Sequence, residues 1–134
     1  MPVRGLRGAT TASEASAEAI KEATAELLHE LAHGNEIDPA EIAFIYFITT
    51  KDLVAEFPAR AARELGWVDV PLLCGHEMDV PPSNPRAVPK CIRILLLYNP
   101  DRPQAEMRHV YMRGATAIKD DLDEMRRRTQ GMAP

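Results

Sequence analysis

The sequence has few cysteines, few aromatic residues and no long apolar segment. Its two cysteines, Cys74 and Cys91, are too few for a disulfide framework, so we expect two reduced thiols. No apolar run approaches the roughly 18 residues of a membrane span, and residues 1–15 contain no apolar core of a secretory signal. A net charge of −4 disfavours nucleic acid, which selects basic surfaces. We therefore expect a cytoplasmic protein without a membrane or nucleic-acid partner.

Common signatures of nucleotide, cofactor and metal binding are also missing. The sequence contains no G-x-G-x-x-G, Walker or G-x-S-x-G motif. The segment CGHEMDV (74–80) concentrates metal-ligand residue types but lacks the second histidine of the zinc-protease helix motif. On an extended chain Cys74 and His76 would point to one side and Glu77 and Asp79 to the other, which does not converge on one ion. We therefore predict neither a metal nor a cofactor.

Apolar periodicity predicts two helices in the first half of the chain. Apolar residues at helical spacing indicate a long helix near residues 13–33, with a capping box at Thr11 and Glu14 and with Ser13 as a competing cap. Gly34 provides the predicted stop of this helix. A second, shorter helix is predicted after Pro58.

The remaining apolar segments predict short strands, at residues 3–10, 42–50, 68–74, 90–99 and 109–112. Pro71 indicates that strand 68–74 lies at a sheet edge or carries a bulge. The order predicts an α/β (α+β) fold: a mixed five-stranded sheet covered by the long helix and the short helix. The other sheet face would still need cover, and an oligomer is its simplest source. We expect residues 1–120 to form the domain and residues 121–134 to form a flexible tail.

Arginine carries the remaining functional signal. Arg93 lies in KCIRILLLYN among apolar neighbours, where a guanidinium is costly unless it is paired. It pairs either with an internal carboxylate such as Glu77 or with a bound anion, since its planar fork fits carboxylates. The block 126–128 is interpreted as part of a solvated tail. Further arginines stand at predicted strand ends or on the short helix: Arg4, Arg7, Arg60, Arg63, Arg108 and Arg113. This distribution in an acidic protein is typical of a binder of a small polyanion.

Several motifs together resemble the small monofunctional chorismate mutases of the trimeric type. The stretches are RGLRGATT, FPARAARELGW, CGHEMDV, KCIRILLL and RHVY, in that family's order and spacing from about residue 3 to about residue 119. The resemblance implies a pseudo-α/β-barrel homotrimer with active sites in clefts between subunits. It also implies the Claisen rearrangement of chorismate to prephenate, on the route to phenylalanine and tyrosine. That pericyclic reaction requires no nucleophile, metal or cofactor.

The resemblance also implies roles for individual residues. Arg93 resembles the cation that bonds the ether oxygen as this atom gains charge, and Arg7 and Tyr111 resemble the pair that holds the side-chain carboxylate. Glu77 resembles the group that holds Arg93, offsets allylic positive charge and, with Cys74, meets the ring hydroxyl. Other implied pocket residues are Leu73, Gly75 and His76 of the strand end, Phe57, Ala59, Arg60 and Arg63 of a neighbouring subunit's wall, and Ile118 and Lys119 of a C-terminal cover.

Three departures from the family pattern stand out, and two other functions stay open. Loop 80–89 is longer and richer in proline than the family pattern, and Lys119 stands where the family often has arginine. The tail beyond residue 120 does not align with the family pattern. A trimeric deaminase of reactive enamines and imines would also hold a carboxylate with one arginine, without requiring Glu77 beside a tyrosine. A non-catalytic small-anion-binding module would require only that Arg93 pairs internally.

Overall fold

A computed structural model of the chain describes residues 2–131. Its strands and α-helices follow one another as β1 Arg4–Thr11, α1 Ala17–Asn35, β2 Ile42–Thr49, α2 Ala59–Glu64, β3 Leu72–His76, β4 Cys91–Tyr98, β5 Val110–Tyr111 and α3 Thr116–Gly131. Short 3₁₀ turns precede β2, β5 and α3. Of the helices in residues 2–131, none combines the length and the apolar character needed to span a bilayer.

The strands form one mixed sheet in the order β3-β2-β4-β1-β5. Strand β4 is antiparallel to both β1 and β2, whereas β3 and β5 are added in parallel at the two edges. The predicted mixed five-stranded sheet with helices is therefore confirmed, and so is the edge position of β3. This strand starts only at Leu72, because the preceding Pro71 cannot donate a ladder hydrogen bond. The predicted start at residue 68 is wrong for that reason.

Helix α1 covers one face of the sheet because its apolar residues recur on one side. Its larger buried side chains are Ile20, Leu27, Leu28 and Leu31. Strand β1 has Gly8 where the helix approaches most closely: a Cβ atom there would lie 2.9 Å from Leu31 Cδ1 and 3.2 Å from Leu27 Cδ1. The absence of a side chain at Gly8 therefore lets α1 pack directly on the strand.

The ends of α1 differ from the sequence prediction by a few residues. Its N-cap is Ser16, whose hydroxyl accepts the Ala19 N–H at 3.1 Å. The predicted cap Thr11 is instead the last residue of β1. Gly34 lies inside the helix, and the left-handed C-cap is Glu36 at φ 52°. Glu36 pays a small conformational penalty there, which its backbone bonds to the last helical carbonyls offset.

The two faces of the sheet differ in burial. The face toward α1 carries fully buried side chains such as Phe47 and Leu96 and forms the hydrophobic core. On the opposite face, here called the outer face, Leu73 and Leu95 are 61% and 40% exposed. Register places the outer-face residues in two rows across the sheet: Arg7, Leu95, Tyr46 and Leu73 in one, and Tyr111, Ala9, Arg93, Ile48 and Gly75 in the other.

The C-terminal segment, expected from the sequence to be a flexible tail, contains a third helix. Helix α3 continues to Gly131, so residues 121–131 are helical. Ion pairs at i,i+4 spacing join Lys119 to Asp123 at 2.9 Å and Glu124 to Arg128 at 2.7 Å along the helix. Residues 132–134, the end of the expected tail, lie outside the described residues.

Candidate active site

An open cleft of about 760 Å³ lies at the end of the sheet where β3 ends and β4 begins. Its walls come from Arg93, from Glu77, from loop 80–89 and from Ile118 of α3. Arg93 Nη1 donates to Glu77 Oε2 at 2.8 Å. The two side chains are 42% and 27% exposed, respectively. Internal pairing, one of the two alternatives for Arg93, is therefore confirmed, and the pair faces open space that a ligand can enter.

Backbone contacts fix the orientation of Glu77. Its N–H donates to the Thr49 carbonyl at 2.8 Å, which extends the β2–β3 ladder one residue beyond His76. Its Oε1 atom accepts the Met78 N–H at 2.8 Å, while Oε2 accepts from Arg93. The two carboxylate oxygens thus have different partners, so Glu77 holds Arg93 in one orientation.

The start of β4 is fixed by Thr50 and Asp52. The Thr50 hydroxyl accepts the Cys91 N–H at 3.0 Å and donates to Asp52 Oδ1 at 2.5 Å. Asp52 Oδ2 accepts the N–H of Lys90 at 2.8 Å. These contacts hold the backbone immediately before Arg93. Neither residue could be identified from the sequence, because only the sheet register brings them to β4.

Both cysteines are thiols rather than activated nucleophiles. Cys91 is 4% exposed in the wall of the cleft, and its burial raises its pKa to about 11 although Arg93 opposes the shift. Cys74 is half-buried on β3, and burial likewise raises its pKa, opposed by a backbone hydrogen bond at Ala59 and by the charge of Arg63. A protonated thiol is a poor nucleophile, so the site offers no cysteine for covalent catalysis.

Arg7 and Tyr111 share the outer face with Arg93. Ala9 is the β1 partner of both Arg93 and Tyr111, so those two side chains flank one small residue. Arg7 lies two residues before Ala9 on the same strand and therefore on the same face. The structure thus brings three of the predicted site residues onto one surface.

A second, smaller cavity of about 410 Å³ lies over Arg7, and α3 supplies its other walls. The neighbouring His109 accepts the Arg7 backbone N–H at Nδ1, at 2.9 Å. Burial lowers the pKa of His109, and the positive charges of Arg7 and Arg126 lower it further. The imidazole is therefore neutral at neutral pH, and guanidinium groups dominate the charge around this cavity.

The remaining predicted wall residues lie at the opposite edge of the sheet, on β3 or at α2: Phe57, Ala59, Arg60, Arg63, Leu73, Cys74 and Gly75. Phe57 is 68% exposed there. Neighbouring strands lie about 4.8 Å apart, so β3 is roughly 19 Å from β5 across the sheet. Within one chain this edge and Tyr111 cannot contact the same small ligand.

The other predicted residues have mixed positions. Ile118 lines the cleft, whereas Lys119 bonds Asp123 along the exposed side of α3. His76 is exposed at the end of β3, with Nδ1 at 3.3 Å from the Thr49 hydroxyl. Loop 80–89 contacts α3 through Arg86 Nε and Asp121 Oδ2, 3.6 Å apart. Among residues 2–131, no group of three or more histidines, cysteines and carboxylates could hold a metal ion.

Comparison with known proteins gives one consistent result. The family described as chorismate mutase type I matches residues 3–122. Chorismate mutase AroH of Thermus thermophilus is 47% identical over 122 residues, covering 90% of this chain and 97% of that protein. Chorismate mutase AroH of Bacillus subtilis (strain 168) is 39% identical over 123 residues, covering 91% and 94%.

A solved structure agrees with the sequence relatives. The chorismate mutase from Clostridium thermocellum has a TM-score of 0.79 and 42% sequence identity to this chain, and the match covers 84% of this chain and 97% of that one. The family resemblance predicted from the motifs is confirmed by these matches. This chain therefore belongs to the type I chorismate mutase family.

Proposed function

We propose that this chain is an isomerase that converts chorismate to prephenate by an intramolecular Claisen rearrangement, in the biosynthesis of phenylalanine and tyrosine. Family membership over residues 3–122 supports this function. The structural observation that carries the mechanism is the Arg93–Glu77 pair, joined at 2.8 Å and open to a cleft. Neither an imine deaminase nor a non-catalytic module is favoured by these relatives.

The reaction determines what the protein has to supply. One C–O bond breaks while one C–C bond forms within the same molecule, so no group on the protein forms a bond to the substrate. The protein must fold the dianion into a reactive conformer and place positive charge where the ether oxygen becomes negative. A millionfold acceleration requires about 8 kcal/mol. A preorganised donor supplies about 3–4 kcal/mol of this, and conformational restriction supplies the rest.

Arg93 is the proposed donor to the ether oxygen. Glu77 engages Nη1 of the guanidinium, which leaves N–H groups on the other nitrogens for a ligand. Negative charge on the ether oxygen develops only in the transition state, so this contact strengthens as the reaction proceeds. Glu77 keeps the guanidinium oriented and meets the ring hydroxyl. The Cys74 thiol, which packs toward the core on β3 of its own chain, would meet the same hydroxyl from the edge of a neighbouring subunit. Its negative charge also offsets positive charge on the allylic fragment.

Arg7 and Tyr111 are the proposed ligands of the substrate's side-chain carboxylate. They lie on the same outer face as Arg93, with Arg7 on β1 and Tyr111 on β5. A guanidinium and a phenol hydroxyl both donate to a carboxylate, and this geometry would hold the side chain beside Arg93. Loop 80–89 and the segment with Ile118 and Lys119 are proposed to cover the mouth of the site.

We propose that three copies of the chain form a ring and that each active site is completed by a neighbour. The outer face exposes Leu73 and Leu95, and burying apolar area yields roughly 25 cal/mol per Å². The sheet edge formed by β3 and α2, here called the α2–β3 edge, includes Phe57, Arg60 and Arg63. These residues lie too far from Tyr111 to contact the same ligand within one chain. A heterologous interface that repeats around a threefold axis would bring this edge to the outer face of the next copy.

The proposed organisation extends to the whole chain. Residues 1–120 would form the catalytic domain, and residues 121–131 would act as a mobile cover rather than as part of its core, since α3 has no buried residue. We also propose that the protein is cytoplasmic and that it needs no cofactor.

The end of β3 is also proposed to contribute to the site. Its residues Leu73, Gly75 and His76 would line the pocket.

A direct assay tests the function. Purified protein is incubated with chorismate, and the loss of chorismate absorbance is followed together with the appearance of prephenate. We expect saturable turnover without added metal or cofactor, unchanged by a chelator. If chorismate were converted no faster with the protein than without it, the proposal would be disproved. Hydrolysis of an enamine substrate instead would identify a deaminase.

A further inference from the structure

One side of helix α3 faces both cavities of the chain. Ile118 lines the cleft that contains Arg93. The α3 residues around the cavity over Arg7 are Leu122, Met125, Arg126, Thr129 and Gln130. Steps of three and four residues separate most of these positions, so they share one helix side. The helix therefore extends from the Arg93 cleft to the Arg7 cavity.

Arg7 and Arg126 line the same cavity with little negative charge to balance them. Within residues 2–131, Arg7 forms no salt bridge. The carboxylate paired with Arg126 is Asp123, at 3.3 Å, and Lys119 holds that same carboxylate more closely, at 2.9 Å. Both guanidinium charges lower the pKa of the nearby His109. The space between the two arginines is thus suited to an anion.

We propose that Arg126 is a substrate-binding residue that holds the side-chain carboxylate of chorismate together with Arg7. This assignment rests on the proposed function. Two guanidinium groups around one carboxylate provide charge-assisted bonds to both of its oxygens. The family match ends at residue 122, so Arg126 is a feature of this chain beyond the matched segment. The block 126–128 was expected from the sequence to be solvated, but Arg126 lines the cavity and Arg127 and Arg128 do not.

The test compares two adjacent arginines of α3. Arg126→Ala is expected to raise KM for chorismate about five- to tenfold, which corresponds to about 1–1.4 kcal/mol, with kcat changed less than about twofold. Arg127→Ala removes the same charge from the same exposed helix but from outside the cavity, so its KM should stay near wild type. Arg126→Lys, which keeps the charge, should give an intermediate KM. Equal KM values for Arg126→Ala and Arg127→Ala would overturn the proposal.

A double-mutant cycle excludes a merely structural effect. If both arginines bind one carboxylate, their contributions are coupled. The fold increase in KM of Arg7→Ala/Arg126→Ala should then be smaller than the product of the fold increases of the two single variants. Strictly multiplicative effects would overturn the proposal. Far-UV circular dichroism checks that α3 persists in each variant. If the wild-type protein turns over chorismate and Arg126→Ala has the same KM as the wild type, this inference alone is refuted. If the wild-type protein is inactive, the proposed function is refuted.

Discussion

Arg93→Lys is expected to lower kcat for chorismate by about two to three orders of magnitude, because the variant loses a preorganised donor worth about 3–4 kcal/mol. A lysine ammonium is a compact point charge and cannot reproduce the planar fork that donates to Glu77 and is proposed to donate to the ether oxygen at the same time. The fold should persist, because Arg93 is 42% exposed and its neighbours in β4 carry the core contacts. Steady-state kinetics and thermal unfolding measure the two effects.

Arg108→Lys is the matched control for this substitution. The Arg108 side chain is exposed, and its contacts to Asn35 are made through its backbone, so kcat should remain near wild type. A near-normal kcat of Arg93→Lys would remove Arg93 from the catalytic role. If Arg93→Lys raised KM and left kcat unchanged, Arg93 would instead bind the ground state and the transition state equally.

Leu95→Lys is expected to convert the proposed trimer to monomers and to abolish nearly all chorismate turnover. Leu95 lies between Arg7 and Tyr46 in the outer-face row and is 40% exposed in the single chain. Burying an unpaired ammonium between subunits costs several kcal/mol at each copy, whereas the exposed position tolerates the charge in a monomer. Analytical ultracentrifugation measures the mass, and turnover is assayed on the same samples.

The control for Leu95→Lys introduces the same charge on the other side of the sheet. His29 is exposed on α1, so His29→Lys should leave both mass and turnover unchanged. Leu95 is the β4 partner of Arg7, so a lysine there could lower turnover without changing the assembly. The measured mass therefore decides the outcome. A monomeric wild-type protein, or a Leu95→Lys variant that stays trimeric, would contradict the proposed assembly.

The strands could be predicted because their apolar runs are short, β-branched and bounded by turn residues. The helix caps could not, since Thr11, Ser13 and Ser16 are all residue types that cap helices. Sheet register decides among them: Thr11 pairs with Cys91 at the end of β1, so the helix starts later. Local sequence does not contain that long-range pairing.

Helix α3 illustrates a second limit of the sequence. Ile118, Leu122 and Met125 recur at helical spacing, but the many charges around them are equally typical of a solvated tail. Intrahelical ion pairs and the contact of Arg86 with Asp121 favour the helix. The stabilising partner of Asp121 is a loop residue distant in sequence, and no periodicity reveals it.

The candidate site divides in the same way. A guanidinium among apolar neighbours needs a partner, so Glu77 could be named for Arg93 from the sequence as one alternative. The roles of Arg7, Tyr111 and the α2–β3 edge came from the family motifs. Thr50 and Asp52 could not be predicted, because their contacts with β4 arise only when β2 and β4 pair.

We propose that one subunit supplies the Arg93 face and another supplies the α2–β3 edge of each site, and mixing two inactive variants measures whether sites are shared in this way. Arg93→Ala and Arg60→Ala/Arg63→Ala are each assayed alone, then unfolded together at equal concentrations, refolded and assayed with chorismate. Each variant alone should be nearly inactive, and about a quarter of the sites in the mixture should recover, because random assembly pairs intact faces with intact edges at that frequency. A mixture no more active than the average of its parents, or a fully active edge variant, would contradict a site shared between subunits.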